Sequence, residues 1–163
     1  MRILGIDPGS ESTGYGIIES DGLRHQVVLY GAIRTRPRQL FPQRLLQIYQ
    51  ELTAVLEREK AQVMAIEGVF YAANVKSALK LGHARGVALL VGAQQGLDIY
   101  EYSPLEIKSA VVGYGRAEKM QIQQMVKVLL QLDHVPQPDD AADALAIAIC
   151  HAHRARYEML SQQ

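Results

Sequence analysis

Apolar positions along the chain switch between a period of two and a period of three to four, and each switch marks a new element. Residues 2–7, Arg-Ile-Leu-Gly-Ile-Asp, form a short apolar run stopped by Pro8-Gly9, the pattern of a buried strand. Residues 13–20, Thr-Gly-Tyr-Gly-Ile-Ile-Glu-Ser, alternate like its hairpin partner, and Asp21-Gly22 signals a two-residue turn into a third strand over 24–35. From Phe41 the spacing lengthens: Phe41, Leu45, Ile48, Leu52, Val55 and Leu56, with Gln, Arg and Glu between them, predict an amphipathic helix over 41–59. A buried strand at 62–67 ends in Glu67, and an Ala-, Leu- and Gly-rich helix follows over about 75–95. Then come a strand at 98–102, a short helix after Ser103-Pro104, a helix over about 118–131 with Glu118 in its first turn, and a last helix opening at Asp139-Asp140. The chain turns polar from His153, so a single domain of 1–157 is expected, with 158–163 as a frayed tail.

A three-stranded meander followed by alternating helices and strands implies an α/β fold: a mixed sheet with helices on both faces. In such sheets the crevice at the carboxyl ends of the strands is the usual site. Asp7 and Glu67 each end a predicted strand. The last helix opens Gln137-Pro-Asp-Asp-Ala-Ala-Asp-Ala-Leu-Ala. Helix capping accounts for Asp139 as an N-cap, and the helix dipole favours Asp140, but neither reaches Asp143, a full turn in among alanines. Positions three apart share a helix face, so Asp140 and Asp143 project together. If the strands ending in Asp7 and Glu67 are neighbours and the last helix lies across them, the four acids converge.

Two carboxylates about 4 Å apart repel by roughly 4 kcal/mol at an effective dielectric near 20, so a cluster of four needs a counter-charge. All-oxygen ligation, with no Cys or His in the set, suits Mg²⁺ or Mn²⁺ rather than zinc. Two such ions would activate a water and stabilise the leaving oxygen of a phosphodiester. The histidines show no zinc-like grouping, and His151 and His153 are expected at the surface.

With 163 residues, 48% of them hydrophobic, the chain has length for one domain with a sizeable core. Lys plus Arg (17) balances Asp plus Glu (17), so the net charge is uninformative and the distribution matters more. Residues 22–50 contain no acid but hold Arg24, Arg34, Arg36, Arg38 and Arg44; residues 68–97 contain none and hold Lys76, Lys80, His83 and Arg85. Lys108, Arg116, Lys119 and Lys127 form a third basic group diluted by Glu118. Three such groups imply a segregated basic surface, and Lys76, Lys80, Arg85, Lys108 and Lys119 are candidate DNA-binding residues. The lone Cys150 permits no internal disulfide, and neither a signal peptide nor a membrane span is apparent, so a soluble cytoplasmic protein with no membrane partner is expected.

The turn Asp7-Pro-Gly-Ser-Glu-Ser-Thr-Gly-Tyr-Gly admits a competing reading as a phosphate loop. It leads into a strand and not a helix, so neither the dinucleotide fingerprint nor the P-loop fits. It is also similar to the first phosphate turn of actin-like ATPases, which build their site between two domains of this kind.

Taken together, Ile-Asp-Pro-Gly (6–9), Thr-Gly-Tyr-Gly (13–16), Ile-Glu-Gly-Val-Phe (66–70), Ser-Ala-Leu-Lys-Leu-Gly-His-Ala-Arg-Gly (77–86), Ala-Glu-Lys (117–119) and Asp-Ala-Ala-Asp-Ala-Leu-Ala (140–146) resemble the RuvC family of bacterial Holliday-junction resolvases. The resemblance spans nearly the whole chain in order. It implies an RNase H-like five-stranded mixed sheet, a meander plus two parallel strands, and a homodimer with one Mg²⁺-dependent site per subunit. It also implies that Asp7, Glu67, Asp140 and Asp143 are the catalytic, metal-binding acids, with two Mg²⁺ per subunit expected and Mn²⁺ as a substitute. By the same resemblance Lys108 and Lys119 match basic positions at the DNA backbone, and Phe70 an aromatic that stacks on a base at the opened junction. Paired symmetric nicks in a four-way junction, leaving 5′-phosphate and 3′-hydroxyl ends, are the implied reaction, and the RuvA–RuvB branch-migration complex the implied partner. Gly68, where relatives can carry Gln, and the extra Asp139 depart from the pattern. The rival readings are another RNase H-like nuclease acting on RNA or hybrid, an actin-like ATPase, and a non-catalytic junction-binding module.

Overall fold

The computed structural model describes residues 1–68 and 74–161. The order is β1 (Arg2–Asp7), β2 (Ser12–Ser20), β3 (His25–Arg34), α1 (Phe41–Glu59), β4 (Val63–Glu67), α2 (Val75–Gln94), β5 (Asp98–Tyr102), α3 (Pro104–Val112), α4 (Lys119–Leu129) and α5 (Asp139–Ser161). The strands form one sheet in the order β3-β2-β1-β4-β5. The β1–β2 and β2–β3 pairs are antiparallel; β1–β4 and β4–β5 are parallel. This is the expected mixed sheet.

Alternation along each strand divides the core into two layers. Leu4, Ile6, Ile17, Met64 and Ile66 pack against α1 and α2 on one face, through Ile48, Leu52, Ala84, Ala88 and Val91. Ile3, Ile18 and Ala65 pack against α3, α4 and α5 on the other, through Ile107, Val126, Leu145 and Ile149. By the same parity Asp7, two residues beyond Gly5, and Glu67, two beyond Ala65, face the α5 layer.

Each helix start has a local cause. Asn74 Oδ1 accepts the Ser77 N–H at 2.8 Å to open α2, and reciprocal capping boxes open α3 (Ser103 with Glu106) and α4 (Glu118 with Gln121). Glu118 is therefore the cap of α4, which leaves Lys119 as its first helical residue. Asp139 is the first residue of α5 and not its cap, because the Pro138 carbonyl already accepts from the Ala141 and Ala142 amides. The β2–β3 connection is longer than the expected two-residue turn. Asp21 Oδ1 accepts from both the Leu23 and Arg24 amides, so Asp21 to Arg24 form the loop and Ser20 pairs with His25.

The carboxyl end of α5 also differs from expectation. Residues 158–161 continue the helix, with Glu158 paired to Arg154. His151 is buried and His153 half-buried, because α3 and β5 cover this part of α5: His151 Nδ1 bonds the Tyr102 hydroxyl at 2.8 Å, and His153 bonds His25 and the Ala110 carbonyl. No described helix is long and apolar enough to cross a membrane.

Candidate active site

Three backbone features bring the acids together. The parallel register of β1 and β4 pairs Ile6 with Ile66, so Asp7 and Glu67 follow side by side at the carboxyl ends of adjacent strands. The antiparallel register pairs Asp7 with Gly14 on its other side. Over these strands lies α5, so close that a Cβ on Gly5 would overlap the Ala144 carbonyl and one on Gly14 the Asp140 carbonyl. The glycines at 5 and 14 are thus the seat of the helix. Asp140 sits above the cross-strand neighbour of Asp7, and Asp143 projects from the same helix face.

Asp7, Asp140 and Asp143 each place one carboxylate oxygen within 4.8 Å of the others. Glu67 lines the same cleft of about 240 Å³ with Asp7, Asp143, Lys108 and Lys119, over an apolar floor of Ile107, Ile122 and Ile147. Asp140 is held from behind, its Oδ2 accepting the Ser12 hydroxyl. The sequence carried no signal for this contact, since Ser12 and Asp140 are 128 residues apart.

Burial and mutual repulsion act on these carboxyls together. Burial, and then the charges of Asp143, Glu67 and Asp140, push the Asp7 carboxyl from 3.8 up to about 8. Glu67 is raised by burial and by Asp143, with Lys108 opposing. Asp143 is raised chiefly by burial, with Lys119 opposing. Lys119 Nζ lies 3.0 Å from Asp143 and 3.6 Å from Asp139, and the bond to Asp143 raises its own pKa. It stands in for a cation on one side of the cluster and offsets only part of the charge felt by Asp7, where burial and the three other carboxylates outweigh it. An all-carboxylate set short of positive charge is the donor chemistry of Mg²⁺ and Mn²⁺, and the cluster can bind a divalent metal ion.

The structure separates the basic residues expected to meet DNA into three groups. Lys108 and Lys119 border the acid cleft. Lys76 and Lys80 are exposed on the first turns of α2, with Lys80 Nζ 6.0 Å from the centre of the Phe41 ring. Arg85 is instead largely covered and held within the protein, its Nε donating to the Glu67 carbonyl and its guanidinium ion-paired with the Glu101 carboxylate. Phe70 lies outside the described residues. Asp139, at the rim, shares the Lys119 ammonium.

Residues 3–151 match the family described as Crossover junction endodeoxyribonuclease RuvC. The chain is 55% identical to a protein of that name from Alkaliphilus oremlandii over 157 residues, 96% of each chain. It is likewise 55% identical to one from Koribacter versatilis over 154 residues, 94% of this chain and 93% of that one. Among solved structures, T. thermophilus RuvC in complex with a Holliday junction substrate superposes with a TM-score of 0.93 at 33% identity, covering 97% of this chain and 96% of that one. With nearly every residue of the fold and all four converging acids inside the matched span, this chain belongs to the RuvC family of crossover junction endodeoxyribonucleases.

Proposed function

We propose that this chain cuts four-way DNA junctions by hydrolysing one phosphodiester per subunit at the cleft of Asp7, Glu67, Asp140 and Asp143. The observation that carries the reading is the convergence of these acids at adjoining strand ends with Lys108 and Lys119 on the same rim. Asp7, Asp140 and Asp143 would hold a divalent cation, and Glu67 with Asp7 a second; Mg²⁺, or Mn²⁺ in its place, supplies water activation and charge stabilisation at the leaving oxygen. The protein's own groups do the rest. Ser12 orients the Asp140 carboxylate. Lys108 and Lys119 would bind phosphate oxygens flanking the scissile bond, Lys119 from the position where it now meets Asp143. The apolar floor of Ile107, Ile122 and Ile147 limits the water that reaches the site.

The family resemblance supplies a homodimer, and α2 offers its surface. Val75 (77% exposed), Leu79 (59%) and Leu90 (60%) line up with Gly82 and Gly86, around which a Cβ would meet nothing, on the face opposite buried Ala84, Ala88 and Val91. Bare glycines between exposed aliphatics allow close approach of a second helix, so two copies pack through this stripe, with Lys76 and Lys80 flanking it as DNA contacts. Leu79→Glu is expected to give a monomer in sedimentation velocity. The RuvA–RuvB complex is the partner expected from the family, tested by co-sedimentation on junction DNA.

The functional test is cleavage of a synthetic four-way junction against linear duplex and RNA–DNA hybrid, with Mg²⁺ or EDTA, using wild type and Asp7→Asn. Paired nicks in the junction alone, dependent on Mg²⁺ and lost in a variant that still binds, are expected. Binding without cutting would leave a junction-binding module; cutting of the hybrid would make the chain an RNA-directed nuclease of the same fold.

A further inference from the structure

We propose that Arg85 is a positioning residue for Glu67, fixing the end of β4 from the α2 side and so setting where the Glu67 carboxylate stands in the cleft. The inference rests on the reading of Glu67 as a cation ligand. The β1–β4 ladder ends at the Ile6–Ile66 pair, so Glu67 has lost its support on the β1 side. The peptide joining Glu67 to Gly68 is held by other means at both of its polar groups. Its carbonyl accepts from Arg85 Nε at 3.3 Å, and its N–H donates to the Tyr102 carbonyl at 2.8 Å. A peptide plane gripped at both ends fixes ψ of Glu67, and with it the direction in which the side chain leaves the strand.

Arg85 is built for this and not for solvent. Its side chain is 17% exposed, and its Nη2 lies against a Glu101 carboxylate oxygen on β5. One guanidinium thus ties α2 to the ends of the two parallel strands, β4 and β5. A lysine ammonium is a single point charge and cannot reproduce the fork that reaches a carbonyl and a carboxylate at once. Lys108 shares the cleft with the Glu67 carboxylate, whereas Arg85 reaches Glu67 through its backbone carbonyl.

The test uses full-length Arg85→Lys, Arg85→Gln and Glu101→Gln, with three readouts beside wild type: junction affinity in EDTA across a salt series, Mn²⁺ affinity by calorimetry without DNA, and single-turnover cleavage across a Mg²⁺ titration. Both Arg85 variants are expected to bind the junction within about two-fold of wild type with an unchanged salt slope. Their Mn²⁺ affinity or cleavage rate is expected to fall about 10- to 100-fold, as for outer-sphere supports of metal ligands, with Glu101→Gln lower by about two- to five-fold. A weaker junction complex with a salt slope reduced by about one, and an unchanged rate at saturation, would make Arg85 a phosphate contact and overturn the proposal. A lower melting temperature with wild-type Mn²⁺ affinity and cleavage rate would make it merely structural. If Arg85→Gln does not fold, Arg85→Lys and Glu101→Gln decide by the same readouts. Failure of wild type to bind Mn²⁺ or to cut would strike the functional reading itself, whereas wild-type values in all three variants would strike this inference alone.

Discussion

Neutralising Asp7 is expected to stabilise the metal-free protein, and increasingly so as pH rises. The folded-state pKa of Asp7 is raised from 3.8 to about 8, so between these values the native state binds a proton that the unfolded chain has released. Stability contributed by that proton is full at low pH and is lost as pH rises toward 8. Between pH 5 and pH 8 the loss approaches about 4 kcal/mol at 1.36 kcal/mol per pH unit. Side-chain relaxation and water entering the open cleft reduce this, leaving about 1–3 kcal/mol. Asp7→Asn removes the titration at nearly constant shape. In EDTA its melting temperature, relative to wild type, is therefore expected to rise by about 2–12 °C more at pH 8 than at pH 5, at 2–4 °C per kcal/mol for a chain of this size. Differential scanning fluorimetry across pH reads this directly. Millimolar Mg²⁺ should close the gap, because cation binding favours wild type: about 1.4 kcal/mol is gained at ten times the dissociation constant. A difference between the two proteins that is constant with pH, or a variant less stable than wild type at pH 8 in EDTA, would refute the charge-deficit argument for the cluster.

Lys119→Ala is expected to lower metal-free stability by about 1 kcal/mol, since it strips the half-exposed counter-charge from Asp143 and Asp139; chemical denaturation should show the penalty vanish with Mg²⁺, and an equal penalty in both conditions would contradict the stand-in role. Gly5→Ala drives a methyl group into the Ala144 carbonyl and is expected to cost about 3 kcal/mol in urea denaturation and to weaken Mn²⁺ binding; wild-type stability would contradict the seating of α5 on Gly5. His25 is expected to stay neutral: His153 Nδ1–H donates to the Ala110 carbonyl, so its Nε2 accepts from His25 Nε2–H at 3.1 Å while the Ser20 hydroxyl donates to His25 Nδ1. Burial, and then His153, lower the His25 pKa below 6.5, so its contribution to stability is present above about pH 6.5 and lost as pH falls; the advantage of wild type over His25→Gln in thermal melts should shrink from pH 7 to pH 5.

The elements were legible because periodicity, caps and turn residues act within a few positions: α1 follows from the spacing of Ile48, Leu52 and Val55, and α3 from Ser103 and Glu106. The family was legible because its motifs recur in order along the chain. Asp140 and Asp143 could be assigned one helix face from their spacing alone. What the sequence left open were the contacts across the sheet. That Asp7 stands beside Glu67 depends on the β1–β4 register, and that α5 reaches both depends on a helix seated on Gly5 and Gly14, more than 120 residues earlier in the chain. Arg85 read as a surface cation until folding placed it under Glu67, and His151 and His153 read as surface until α3 and β5 covered them. Local pattern determined which elements form and in what order, because each is stabilised by neighbours a turn or a pleat away. The tertiary structure decided which charges share a cleft, because burial and a small dielectric arise only when distant segments exclude water together.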